Sequence, residues 1–156
     1  MKRSITWFMV LCLCLGTIST TAQTSSEPES LGLPGDNLNL YAVLKVFQES
    51  ETLEVFEKKI NDPDANINNL DLDGDDNIDY ITVSDEVDGT VHNIILRVAV
   101  NSNESQDVAV ITVEKNSKNE VQIQVTGDEE LYGKDYIIEP NFDADDNGGT
   151  PNPGYT

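Results

Sequence analysis

Residues 79–100 read DYITVSDEVDGTVHNIILRVAV, and the period of this stretch decides the fold. Ile81 and Val83 alternate with polar residues, and Ile94, Leu96, Val98 and Val100 do the same further on. A period of two sends one set of side chains to each face of a strand. Asp88-Gly89 lies between the two runs and marks a hairpin, because tight two-residue turns require positive φ. Pairing across that turn sets Ile81 opposite Leu96, Val83 opposite Ile94, Asp85 opposite His92 and Tyr80 opposite Arg97. The apolar pairs then share the core face.

The alternation continues outward. Ala109, Ile111 and Val113 form a third run, and Val121, Ile123 and Val125 a fourth, with Asn116-Ser117-Lys118 as a tight connection between them. Leu96, Val98 and Val100 are expected opposite Val113, Ile111 and Ala109, and Ile111 opposite Ile123. A last short apolar run, Tyr136 to Ile138, ends at Pro140. Before the acidic loop the period is helical. Leu40, Val43, Leu44 and Phe47 fall at i, i+3, i+4 and i+7, and Leu53, Phe56 and Ile60 line one face of a second segment. Ser50 or Thr52 can cap the second helix, Glu54 supports Lys58 four residues later, and Asn61-Asp62-Pro63 ends it. The sequence therefore predicts an α+β fold, with two N-terminal amphipathic helices packed on a four-stranded antiparallel meander. Leu40, Leu44, Phe47, Phe56 and Ile60 are the expected cover of the sheet.

Between helices and strands lies an oxygen-rich loop, residues 69–81. Oxygen-bearing side chains recur at Asp71, Asp73, Asp75, Asn77 and Asp79. Calcium takes six to eight oxygen ligands, and alternate residues of a tight loop can turn several inward. Ile78, Tyr80 and Ile81 are expected to lock the loop to the sheet. An EF-hand is excluded. The twelfth position is Thr82 counted from Asp71 and Tyr80 counted from Asn69, so the bidentate Glu is missing, and a strand follows in place of a helix.

Asp71 to Ile81 resembles the short calcium loops of FG-GAP repeats, dockerins and thrombospondin type 3 repeats, which run Asp-x-Asp/Asn-x-Asp-Gly-x-x-Asp into a strand. The resemblance implies that Asp71, Asp73, Asp75 and Asp79 ligate calcium through side chains and Asn77 through its backbone carbonyl. Asp76 stands where those loops usually have Gly, a position that calls for a left-handed backbone. Asp tolerates that conformation better than most residues, at some cost to affinity. More loosely, residues 35–140 resemble uncharacterised secreted proteins of Bacteroidota. The shared features are Ala22-Gln23, Asn69 to Ile81, Glu104 to Ile111 and Gly127-Asp128-Glu129-Glu130-Leu131-Tyr132-Gly133. That resemblance implies location and domain limits and no reaction.

Lys and Arg total 9 against 29 Asp and Glu in 156 residues, a formal net charge of −20. Such a surface repels nucleic acid and anionic membranes, so neither is an expected partner. Residues 1–22 read as a cleavable signal peptide: Lys2 and Arg3, an apolar run from Ile5 to Leu15, then Thr20-Thr21-Ala22. The run is too short to cross a hydrocarbon layer of about 30 Å. Leu precedes both Cys12 and Cys14, so no lipobox is formed. Cleavage would remove both cysteines, and with them any disulfide. The expected location is the periplasm or the exterior. Residues 23–35 read as a linker, 36–140 as the domain and 141–156 as a disordered acidic tail.

No catalytic motif stands out. His92 is the only histidine, so zinc lacks nitrogen and sulfur ligands after cleavage. Arg97 reads as one half of a surface ion pair. Asn103-Glu104-Ser105 matches a glycosylation site, a motif common by chance. The expected function is a non-catalytic, calcium-binding structural or binding module that acts as a monomer, its protein or glycan partner unidentified. The alternatives are a carboxylate-dependent glycoside hydrolase, or an inhibitor or chaperone acting through a sheet edge.

Overall fold

A computed structural model describes residues 30–116 and 120–140. The expected signal peptide, most of the expected linker and the expected tail lie outside these residues. Helices α1 (Leu40–Gln48) and α2 (Leu53–Ile60) precede strands β1 (Ile81–Asp88), β2 (Val91–Asn101), β3 (Glu104–Lys115) and β4 (Val121–Gly127). A one-turn helix α3 (Glu129–Tyr132) and a short strand β5 (Ile137–Ile138) follow. The fold is α+β, and its antiparallel sheet has five strands in the order β1-β2-β3-β4-β5. The expected four-strand count is corrected by β5, which pairs Ile138 with Val125 and Ile137 with Thr126. A two-residue strand is too short to announce itself by alternation. The single turn of α3 is likewise too short to show a period in the sequence; Asp128 caps it by accepting from the N–H groups of Glu130 and Leu131.

Both longer helices start at side-chain caps. Asn39 accepts from the N–H groups of Tyr41 and Ala42, and Thr52 accepts from that of Val55. Their apolar faces meet at Phe47 and Phe56, whose rings pack edge to face with centroids 5.3 Å apart. Leu40, Leu44, Phe56 and Ile60 are buried with Ile81, Leu96, Val98 and Ile111 in one core, and Phe47 packs against it partly exposed. The expected cover of the sheet is thus in place.

The faces are as the alternation implied, but the register is not. Ile81 faces Val98, Val83 faces Leu96, Asp85 faces Ile94 and Val87 faces His92, a shift of two residues from expectation. Asp88 pairs with Val91, so the turn is Gly89-Thr90. It puts Gly89, with φ +62°, in the first turn position, which a II′ turn reserves for glycine. Thr82, not Tyr80, is opposite Arg97. Asp85 and His92 still touch, 2.8 Å apart, as diagonal neighbours.

Further along, Leu96 meets Ala109 and Ile94 meets Ile111, four residues from expectation. Asn101 pairs with Glu104, and this tight turn at Ser102-Asn103 sets the pairing. Between Ala109 and Asp107 the extra residue Val108 forms a bulge, fully buried. Ile111 meets Val125 and Val113 meets Ile123, again two residues from expectation. The shifts of two and four residues keep each apolar set on its face, while beyond the Val108 bulge Val98 pairs with Gln106, an odd offset that the extra residue introduces.

The end of the expected linker is held in the fold. Asp36 accepts from the N–H groups of Leu31 and Gly32 and from the Ser30 hydroxyl, and these donors lower its pKa. Gly35 is buried against Tyr132: a Cβ there would lie 2.5 Å from the Leu131 carbonyl oxygen and 2.6 Å from Cδ1 of the Tyr132 ring. A Cβ on Gly127 would lie 2.6 Å from Cδ2 of the same ring. The ring therefore fills a slot made by two absent side chains, and its hydroxyl donates to the Leu38 carbonyl at 3.0 Å. Gly35→Ala and Gly127→Ala should each destabilise the domain by about 1–3 kcal/mol, the usual cost of overpacking. Gly32→Ala lacks any such close contact and should be limited to the strain of its positive φ. Urea unfolding midpoints of the three variants check this ordering.

Candidate metal centre

The loop that carries the acidic residues begins and ends on two asparagines. Asn68 is the only buried polar residue among those described. Its side chain donates to the Asp79 carbonyl at 2.8 Å and accepts from the Leu70 N–H at 3.1 Å. Asn61, the C-cap of α2, donates to the Ile81 carbonyl at 2.7 Å and accepts from the Ile81 N–H at 2.8 Å. Asn68 also donates to the Asn61 side-chain oxygen at 3.4 Å. At the base of the loop the Asp79 N–H donates to the Leu70 carbonyl at 2.8 Å. The Asp79 carboxylate accepts from the Leu72 N–H.

Above this base, the acidic side chains fold the backbone. Asp71 accepts from the N–H groups of Gly74, Asp75 and Asp76 at 2.8–3.1 Å. Asp73 accepts from the Asp75 N–H, and Asp75 from that of Asn77. These are successive Asx turns, and they leave carboxylate oxygens facing one another. Oxygens of Asp71, Asp73 and Asp75 lie within 4.8 Å of one another, and all three residues are exposed. Burial and the neighbouring charges of Asp75, Asp79 and Asp71 raise the Asp73 pKa against one backbone hydrogen bond, while hydrogen bonds from Asn77 lower that of Asp75. The cluster concentrates negative charge at one point of the loop, and a divalent cation would reverse that repulsion.

Of the five expected ligands, Asp71, Asp73 and Asp75 are brought together. Asp79 lies close enough for its charge to act on Asp73, but it is not part of the close carboxylate cluster. The left-handed backbone expected at position 76 is present: Asp76 has φ +66° and Gly74 has φ +74°. The expected hydrophobic lock is different. Ile78 and Tyr80 are 54% and 57% exposed, while Leu70 and Ile81 are fully buried. Of the expected lock, Ile81 is in place, and Leu70 on the other side of the loop takes the part expected of Ile78 and Tyr80. Tyr80 instead donates its hydroxyl to Glu57 of α2 at 2.9 Å.

The two asparagines were the residues missed. Their signal was faint: Asn61 stands at a helix end and Asn68 in an Asn-rich run, both ordinary places for exposed asparagine. Comparison of the chain with protein-family models, curated proteins and solved structures finds no match. The fold and loop define an α+β domain with an acidic, metal-compatible turn set at the entrance to its first strand. No helix among the described residues is long and apolar enough to cross a membrane.

Asn68→Ala should cost about 2–4 kcal/mol, because it leaves the Asp79 carbonyl and the Leu70 N–H buried without partners. Asp76→Gly should stabilise the metal-free chain by up to about 1 kcal/mol, since it removes a left-handed strain that only glycine avoids. Thermal unfolding in EDTA measures both.

Proposed function

We propose that the chain is an extracytoplasmic, non-catalytic module whose acidic loop binds calcium and is stabilised by it. The observation that carries the reading is the meeting of Asp71, Asp73 and Asp75 within 4.8 Å on a loop whose turns are already folded. Little conformational entropy remains to be lost when a cation enters. Asp79 and the Asn77 carbonyl complete the proposed ligand set, as in the loops that this stretch resembles, with water for the remaining positions. The N-terminal signal pattern supports a compartment rich in calcium, and the charge of −20 supports a monomer that avoids nucleic acid. A role in binding a protein or glycan is part of the same proposal.

Calcium should raise the melting temperature. Extracellular modules bind it at roughly 10⁻⁴ to 10⁻³ M. A dissociation constant of about 10⁻⁴ M at about 1 mM calcium gives roughly 1.4 kcal/mol of linkage stabilisation. For a domain near 100 residues, each kcal/mol moves the melting temperature by about 4–8 °C. Asp73→Ala and Asp75→Ala should abolish the shift, and Asp64→Ala, outside the cluster, should retain it. Magnesium should do less, because it demands a near-octahedral site. A melting temperature that is the same in EDTA and in calcium would overturn the reading.

A further inference from the structure

We propose that the open edge of β4, Val121–Gln124, takes an extended lysine- or arginine-bearing segment of a partner protein by strand addition. The sheet has two edges, and they are treated differently. Along β1, side chains of α2 occupy the outer backbone groups: Asn61 holds both the N–H and the carbonyl of Ile81, and Glu57 accepts from the Val83 N–H at 2.7 Å. Along β4, among the described residues, only Val125 and Thr126 are paired on the outer side. The Gly127 N–H donates to the Tyr136 carbonyl at 3.0 Å, which fixes the phase. Odd-numbered residues of β4 turn their backbone groups outward, so Ile123 and Val121 come next. β5 itself ends at Ile138, and Pro140 two residues on has no N–H to offer.

A cleft of about 580 Å³ runs beside this edge. Val121, 59% exposed, and the half-buried Ile123 supply apolar contact to alternate side chains of an incoming strand. Among the described residues, Glu114 and Glu139 line the same cleft and no Lys or Arg does. The occupant is therefore cationic as well as extended: backbone hydrogen bonds supply affinity and the two carboxylates select charge. A second copy of the chain is the wrong occupant, because each copy carries −20 and would bring like charge to the edge.

The test is backbone amide exchange by NMR on the full chain, titrated with acetyl-Lys-Val-Lys-Val-Lys-Val-amide. A control peptide carries the same side chains but is N-methylated at every residue, which removes its backbone donors. The unmodified peptide should slow exchange at Val121 and Ile123 about tenfold or more, with the control inert. The double change Glu114→Gln and Glu139→Gln should weaken binding and flatten its salt dependence. Val121→Pro should abolish binding without unfolding the domain, since proline is tolerated at the first residue of an edge strand with its nitrogen outward. Equal binding of the control would mean plain attraction of cations to an acidic chain, and would overturn the proposal. So would protection at Asp85 and Val87 instead, amides at Val121 and Ile123 already slow in the free protein, or no binding. None of these readouts depends on calcium, so failure here leaves the calcium proposal standing.

Discussion

The side chain of Asn61 is the point from which the rest of the arrangement follows. One amide group ends α2 by donating to the Glu57 carbonyl at 2.8 Å, pairs with both backbone groups of Ile81, and receives Asn68. It therefore fixes where the helix stops, where the first strand starts and how the loop between them closes. A carboxamide suits this position because it presents donors and an acceptor in one plane. Asp would supply no donor for the Ile81 and Glu57 carbonyls, and leucine would leave all of them unpaired. With partners partly shielded from water, each lost hydrogen bond costs more than on the surface. The acidic turns are thus built on a base that does not depend on the acids themselves.

A second constraint closes the domain from its far end. The Tyr132 ring lies between Gly35 and Gly127, and its hydroxyl reaches the Leu38 carbonyl. Burial raises the pKa of Tyr132 and of Tyr41, so both hydroxyls stay protonated and available as donors. Tyr136 stacks on Tyr132 with ring centroids 5.0 Å apart. The segment around residues 35–38 is thereby joined to the segment after β4, and Leu38 bridges in turn to Asn68 beside the loop. The two ends of the described chain and the acidic loop are connected through short polar contacts around one apolar core. This construction uses no disulfide, in keeping with a chain whose only cysteines lie at positions 12 and 14.

These two devices also explain what could be read from the sequence and what could not. Period carries face, so the residues that bury themselves on the sheet, from Ile81 to Val125, were legible. Register depends on turns, and a turn of Gly89-Thr90 differs from one of Asp88-Gly89 by two residues of pairing with no change of face. The Ser102-Asn103 turn has no glycine to mark it, and the Val108 bulge shows only as an apolar residue out of phase. At the candidate site, Asp71, Asp73 and Asp75 were legible because three carboxylates at alternate positions around Gly74 fit a tight oxygen-lined turn. Asn61 and Asn68 were not, because asparagine looks the same in sequence whether it is solvated or buried. Gly35 and Gly127 were opaque for another reason: neither has the positive φ that a turn signal would advertise, and their role is set by a ring that approaches from elsewhere in the chain.

Charge ties the edges of the sheet to the loop. Antiparallel edges invite unwanted pairing, and acidic side chains are one way to discourage it. β1 combines that means with side-chain capping: Asp85, Glu86 and Asp88 stand on its far half, while Asn61 and Glu57 occupy its near half. β4 has no capping side chain beyond Thr126 among the described contacts, and the strand itself carries no charge, VQIQVTG. Protection there falls to Glu114 on the neighbouring strand and Glu139 beyond β5, which repel other acidic chains, copies of this one included, but attract cationic ones. Under the strand-addition proposal, the same negative charge that would repel a second copy would favour a cationic partner at this edge. The same excess of carboxylates makes the Asp71 loop costly to leave unneutralised, which is the physical basis of the proposed cation binding.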